Sequence, residues 1–150
     1  MISIGSRVRS EAMKASARRV GNYAHDIEVR GHHLGADERS NAGGDDTAPS
    51  PQELLAASLA SCTAVTMEMY ANRKGWDLGE VEVEVEYSPA ERGCPTRFEL
   101  VCRFPDSISQ EQIDRLMIIA AKCPVHRTLD GEVMFDERVE VVERSPAIPS

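Results

Sequence analysis

The segment "SPQELLAASLASCTAVTMEMYANRKG", residues 50–75, decides the fold. Ser50 suits a helix N-cap, Pro51 suits the first helical position, and Glu53 completes a capping box with Ser50. Gly75 supplies the stop, so the spacing predicts a helix from Pro51 to about Lys74. Its side chains are small or apolar nearly all round, including Leu54, Leu55, Leu59, Ala64, Val65, Met67 and Met69. A helix apolar on most faces is expected to be buried on most faces. Ser, Thr, Cys and Glu interrupt the run, which reads as a poor membrane span.

Upstream, residues 18–34 read as two short strands with a turn around His25-Asp26, and residues 1–16 as an arm lacking a clear period, partly disordered. Then "GADERSNAGGDDTAPSP", residues 35–51, collects turn formers into a long loop of the kind that often carries function. In it, Gly43-Gly44 reads as flexible and Asp45-Asp46 as solvated. Downstream, "VEVEVEY" (81–87) and "RFELVCRF" (97–104) alternate strictly, giving two strands joined by the hairpin loop "SPAERGCP". A second helix is expected to begin near Ser107 or Ser109, with Ile113, Leu116, Ala120 and Cys123 at helical spacing. A short helical turn follows Pro124, and "EVMFDERVEVVE" (132–143) reads as a last strand. The order ββ-α-ββ-α-β is an α+β fold, with residues 17–150 as a single domain.

With 150 residues and a net charge of −8, the chain is expected to bind neither nucleic acid nor an anionic membrane, which need basic surfaces. The N-terminus has no continuous apolar stretch resembling a secretory signal, so a cytoplasmic location is expected. There, the four cysteines are expected to serve packing, metal binding or redox chemistry rather than static crosslinks.

Cys102 falls on the apolar side of its strand and reads as structural; Cys94, in the hairpin loop, reads as incidental. On spacing alone Cys62 reads as a packing residue. Cys123 precedes Pro124, which can begin a helix but not continue one, so it can sit beside free backbone N–H groups that stabilise a thiolate. Cys123 thus reads equally as packing and as reactive. No metal is expected: Cys123 and His126 lack a second matched pair, and His32 and His33, adjacent on a strand, point to opposite faces.

Taken together, "APSPQELLAASLASCTAVTMEMYANRKGW" (48–76) and "AAKCPVHRTL" (120–129) resemble the osmotically inducible protein C / organic hydroperoxide resistance (OsmC/Ohr) superfamily, closest to its OsmC-like branch. The resemblance implies an intertwined homodimer with two central helices packed on β-sheets and active sites at the subunit interface. It implies a peroxidase for organic, especially fatty-acid, hydroperoxides, with Cys62 peroxidatic, Cys123 resolving, and a Cys62–Cys123 disulfide as product. It implies no haem, flavin or metal cofactor, the electrons returning from a dihydrolipoyl protein or other thiols. Gln52, Leu55, Leu59 and Met69 are expected around the substrate. The family's activating arginine maps first to Arg39 and second to Arg30. Its partner glutamate would align with Gln52; Glu53, one residue on and rotated by about 100°, is the candidate for that catalytic role. A weakly active or non-enzymatic member that binds an apolar ligand, and a thiol redox sensor, are the alternatives.

Overall fold

The structure, a computed structural model, describes residues 12–143. These fall into two compact units that meet in sequence at Ser50-Pro51.

The first unit is a three-stranded antiparallel meander: β1 (Ser16–Arg19), β2 (His25–Val29) and β3 (His32–Ala36), in that spatial order. Two strands with a turn at His25-Asp26 were expected; those residues instead pair within β2, His25 with Ala36 and Asp26 with Gly35. The turn falls at Arg30-Gly31, where both residues take positive φ (50° and 81°), as a two-residue hairpin of matching twist requires. Ser16 begins β1, so the expected arm ends earlier in sequence, and its residues 1–11 lie outside the described residues.

The long loop after β3 is ordered by one carboxylate. Asp37, 1% exposed, accepts hydrogen bonds from the Glu38 N–H (2.7 Å), the Thr47 N–H (3.0 Å) and the Thr47 hydroxyl (2.6 Å). Its own N–H reaches the Pro49 carbonyl at 3.1 Å, closing the loop at its base. Flexibility was expected of Gly43-Gly44, but both are structural. Gly43 is left-handed (φ 88°), and a Cβ on Gly44 would overlap the Glu38 carbonyl.

In the second unit, α1 (Pro51–Lys74) ends as expected. The Trp76 N–H reaches the Ala71 carbonyl (2.9 Å) and the Gly75 N–H reaches Asn72 (3.1 Å), with Gly75 at φ 70°. This is a Schellman stop, sealed by the edge contact of the Trp76 and Tyr70 rings at 5.6 Å. The hairpin β4 (Glu82–Ser88) and β5 (Arg97–Arg103) pairs Val83 with Cys102 and Val85 with Leu100, turning these apolar residues to one face. Helix α2 (Gln110–Ala120) starts on a capping box between Ser109 and Gln112, and α3 (Pro124–Asp130) follows. The core joins Met67, Tyr70 and Ala71 of α1 to Leu116, Ile119 and Ala120 of α2, with Leu78 and Ile108. Cys102 packs against this core, and burial pushes its thiol up.

Further expectations fail here. Residues 132–143 form no strand; Val133, Met134, Phe135, Val139, Val141 and Val142 are exposed, and their alternating pattern meets no strand to pair with in this single chain. Nor is α1 buried on most faces: Leu59, Thr63, Met67, Tyr70 and Ala71 form one buried stripe, while Leu55, Val65 and Met69 remain exposed. One hairpin and two helices cover only one side of a helix this long. By length and composition α1 is also apolar enough to cross a membrane, contrary to the reading of its sequence, but here it supplies core residues.

The hydrogen bonds to Asp37, led by that of the Thr47 side chain, hold its carboxyl below the ordinary value of 3.8. A depressed folded value means the stabilisation is complete above the unfolded value and is lost as pH falls through the folded one. The Thr47 amide should therefore lose protection from hydrogen exchange on acidification below that range, and D37N should lose it at neutral pH. Equal protection in both proteins at neutral pH would refute this role for Asp37.

Candidate functional site

The break between α2 and α3 builds the site. Proline at 124 starts α3, leaving Cys123 in extended geometry (φ −53°, ψ 133°) at its N-cap, where its carbonyl takes the Arg127 N–H at 3.0 Å. Because α3 lies against α1, the Cys123 sulfur meets the middle of α1, where Cys62 stands, and the two thiols interact directly. Both are free thiols; Cys123 is fully buried and Cys62 partly exposed.

The surroundings divide the pair's charge unequally. Burial raises the Cys62 thiol, the neighbouring Cys123 sulfur raises it further, and the Val125 N–H and Thr66 hydroxyl only partly offset this. At Cys123 burial also opposes ionisation, but it is outweighed by the Cys62 thiol, the His126 and Val125 N–H groups and the Thr63 hydroxyl, which hold it below the ordinary thiol range. The sulfur makes no regular capping hydrogen bond. The N–H groups at the start of α3 nonetheless favour its ionised form. The pair thus loses its first proton mainly from Cys123, with Cys62 as the S–H donor.

Thr63, 1% exposed, donates to the Leu59 carbonyl at 2.8 Å. Its single hydroxyl hydrogen can serve that carbonyl or a Cys123 thiolate, but not both at once.

A groove of about 530 Å³ opens between α1, the hairpin and α3; its lining includes Leu59 and His126, each three residues in sequence from one of the two cysteines. Leu55 and Leu59 of α1 line it with Tyr87 of β4, Phe98 and Leu100 of β5, and His126, Leu129 and Asp130 of α3. Tyr87 and Phe98 stack obliquely at 5.1 Å. Among the described residues, no three His, Cys, Asp or Glu side chains converge as a metal site would need.

A family model described as OsmC-like protein matches residues 43–138, more than half of the chain. The chain belongs to the OsmC family. Solved structures agree on the fold. The chain is similar to OhrB, an organic hydroperoxide resistance protein of Bacillus subtilis, at 25% identity over 81% of this chain and 92% of that one, TM-score 0.58. It is similar to an organic hydroperoxide resistance protein OsmC of Legionella pneumophila at 22% identity, covering 81% and 90%, TM-score 0.62. It also matches an OsmC-like protein of Mycoplasma pneumoniae at 18% identity, covering 82% and 90%, TM-score 0.70. No curated protein sequence matches it.

Of the residues singled out in this OsmC-like chain, Cys62, Cys123, Leu55 and Leu59 come together in the second unit. Gln52 and Glu53 lie exposed in the first turn of α1, and Met69, 61% exposed, lies outside the groove. Arg39 and Arg30 belong to the first unit, Arg39 capping the 3₁₀ turn Ser40–Ala42 and Arg30 forming the hairpin turn. Sequence reasoning missed Thr63, Thr66 and the sheet side of the groove. Thr66 had a signal, its one-turn spacing from Cys62; Tyr87 and Phe98 had only their places on alternating strands.

Replacing Thr63 by the isosteric Val removes a donor to the Cys123 sulfur, so the first ionisation of the pair should move to higher pH, followed by thiolate ultraviolet absorbance. Thr63→Ser should restore it. An unchanged titration in T63V would show that the hydroxyl serves only the Leu59 carbonyl.

Proposed function

We propose that this OsmC-family chain is a cysteine-based thiol peroxidase that reduces organic hydroperoxides to alcohols. The observation carrying the proposal is a pair of interacting free thiols, one partly exposed and one buried. Membership in a family whose relatives include organic hydroperoxide resistance proteins supports it.

Accessibility supports the division of roles. Cys62 is the sulfur a peroxide can reach, and Cys123 is enclosed. Cys123, the more acidic partner, is the first of the pair to ionise, and as thiolate it accepts the Cys62 proton. The Cys62 sulfur then attacks the distal peroxide oxygen; an S–O bond forms, the O–O bond breaks, and the alkoxide takes the proton back from Cys123 to leave as alcohol. Cys62 is now a sulfenic acid. The Cys123 thiolate attacks its sulfur, the disulfide forms and hydroxide departs. The electrons return from an external dithiol, a dihydrolipoyl protein or a small thiol, in a reducing compartment such as the cytoplasm. No haem, flavin or metal takes part in this scheme.

We further propose that the working unit is a homodimer. Exposed Leu55, Val65 and Met69 on α1, and the alternating apolar tail at 133–142, are surfaces that a second copy would bury. Sedimentation of the full chain at micromolar concentration should give twice the monomer mass; a monomer there would reject the dimer.

One equivalent of cumene hydroperoxide should consume two thiols per chain without crosslinking chains, read by intact mass and thiol titration. Cys123→Ser, which lacks the thiolate that takes the Cys62 proton, should react more slowly and stop at the sulfenic acid, trapped by dimedone after a single turnover. Absence of thiol loss in the wild-type protein would overturn the peroxidase reading and favour a fold that only binds apolar ligands. Oxidation without turnover on any dithiol would favour a redox sensor.

A further inference from the structure

We infer that the Thr66 hydroxyl is a catalytic group of the cysteine pair: it holds negative charge on the Cys62 sulfur during attack on the peroxide, and so sets how fast the pair reacts rather than the pH at which it ionises. The inference rests on the peroxidase reading and adds a residue to its first step.

The hydroxyls along the middle of α1 fall into two sets. Ser58, Ser61 and Thr63 each donate to a carbonyl three or four residues back along the helix, Leu55 at 2.7 Å, Ser58 at 3.2 Å and Leu59 at 2.8 Å. Among the described residues Thr66 makes no such bond; its hydroxyl acts on the sulfur of Cys62. Side chains four apart share one helix face, their Cβ atoms about 5–6 Å from each other. The two residues belong to one unbroken helix, so this spacing holds whatever packs alongside. Cys62 and Thr66 are both partly exposed, whereas Cys123 and Thr63 form the buried counterpart.

The donors around the pair differ in which sulfur they reach. The Val125 N–H reaches both. The Thr63 hydroxyl and the His126 N–H act at Cys123, and the Thr66 hydroxyl acts at Cys62. The titratable group acting on Cys62 is Cys123, across the contact of α1 with α3. The first proton leaves mainly from Cys123, yet attack needs the charge on Cys62. The rate therefore follows the smaller share of one shared charge, and a donor specific to Cys62 enlarges that share. As the Cys62 proton passes to Cys123, Thr66 donates its O–H to the new thiolate. It keeps its own proton while the S–O bond forms, the O–O bond breaks and the alkoxide takes a proton from Cys123.

The test follows two reactions of the full-length protein against pH. One is oxidation by cumene hydroperoxide, read by thiol loss; the other is alkylation by iodoacetamide, located at Cys62 by peptide mass. Both rates should rise with the first ionisation of the pair, followed by ultraviolet absorbance, to a plateau. T66V should lower both plateaus about tenfold, the effect of losing one hydrogen bond to a charged group, and leave the midpoint of the rise in place. T66A, which removes the hydroxyl without adding a methyl group, should behave as T66V does, and T66S should restore the plateaus. A wild-type plateau in T66V or T66A, a shifted midpoint in place of a lowered plateau, or a T66S protein as slow as T66V would overturn the inference. Alkylation keeps it separate from the peroxidase reading. If T66V lowers alkylation in a protein that consumes no hydroperoxide, the hold of Thr66 on the Cys62 thiolate stands and the peroxidase reading falls. If T66V consumes hydroperoxide at the wild-type rate, the role of Thr66 falls alone.

Discussion

The second unit depends on a single interruption of helix. Were residue 124 able to continue α2, Cys123 would be one more apolar residue on that helix's buried stripe. Proline cannot supply the N–H a helix interior requires, so the chain restarts, and the restart leaves Cys123 in extended geometry with the first N–H groups of α3 unclaimed by earlier carbonyls. The pairing with Cys62, the asymmetry between the two thiols and the position of the groove wall formed by α3 all follow from where that break falls. The restart needs a firm surface to lean on. The Schellman stop of α1, the capping box of α2 and the shared core of the two helices fix that surface.

The two sulfurs are unlike because they sit on unlike backbone. Cys62 is inside a continuous helix, where every nearby N–H is already engaged, so its supporters must come from side chains and from α3. Cys123 sits where backbone donors are unspent. Burial alone would raise both; the difference comes from the number of donors, and the coupled pair shares one negative charge under that bias.

Much of this was legible in the residues. Proline, glycine and serine marked the ends of α1 and the start of α2, because caps and stops are local chemistry. The alternation in residues 81–87 and 97–104 gave the hairpin and placed Cys102 inside. The meander of the first unit was misread because its turn uses Arg30 with Gly31, and a positive φ at arginine leaves no compositional mark. The tail at 132–143 kept the pattern of a strand without becoming one, since alternation records which side is apolar but not whether a neighbour is present. The loop at 37–49 looked loose by composition, yet one buried carboxylate and one crowded glycine order it. Neither Thr63 nor the hairpin side of the groove could be seen, because both depend on contacts distant in sequence.

The contrast in exposure between the two sulfurs also bears on how the oxidised protein would be recharged. In a Cys62–Cys123 disulfide, an incoming thiol can approach only the sulfur that faces outward, Cys62, and must expel Cys123 as the leaving group. Leaving-group ability rises as thiol acidity rises, and Cys123 is the more acidic of the two. The N–H groups at the start of α3 would therefore speed both halves of a cycle, first by readying a base and then by stabilising the departing thiolate. The mixed disulfide with a reductant would form on α1, at the partly exposed sulfur.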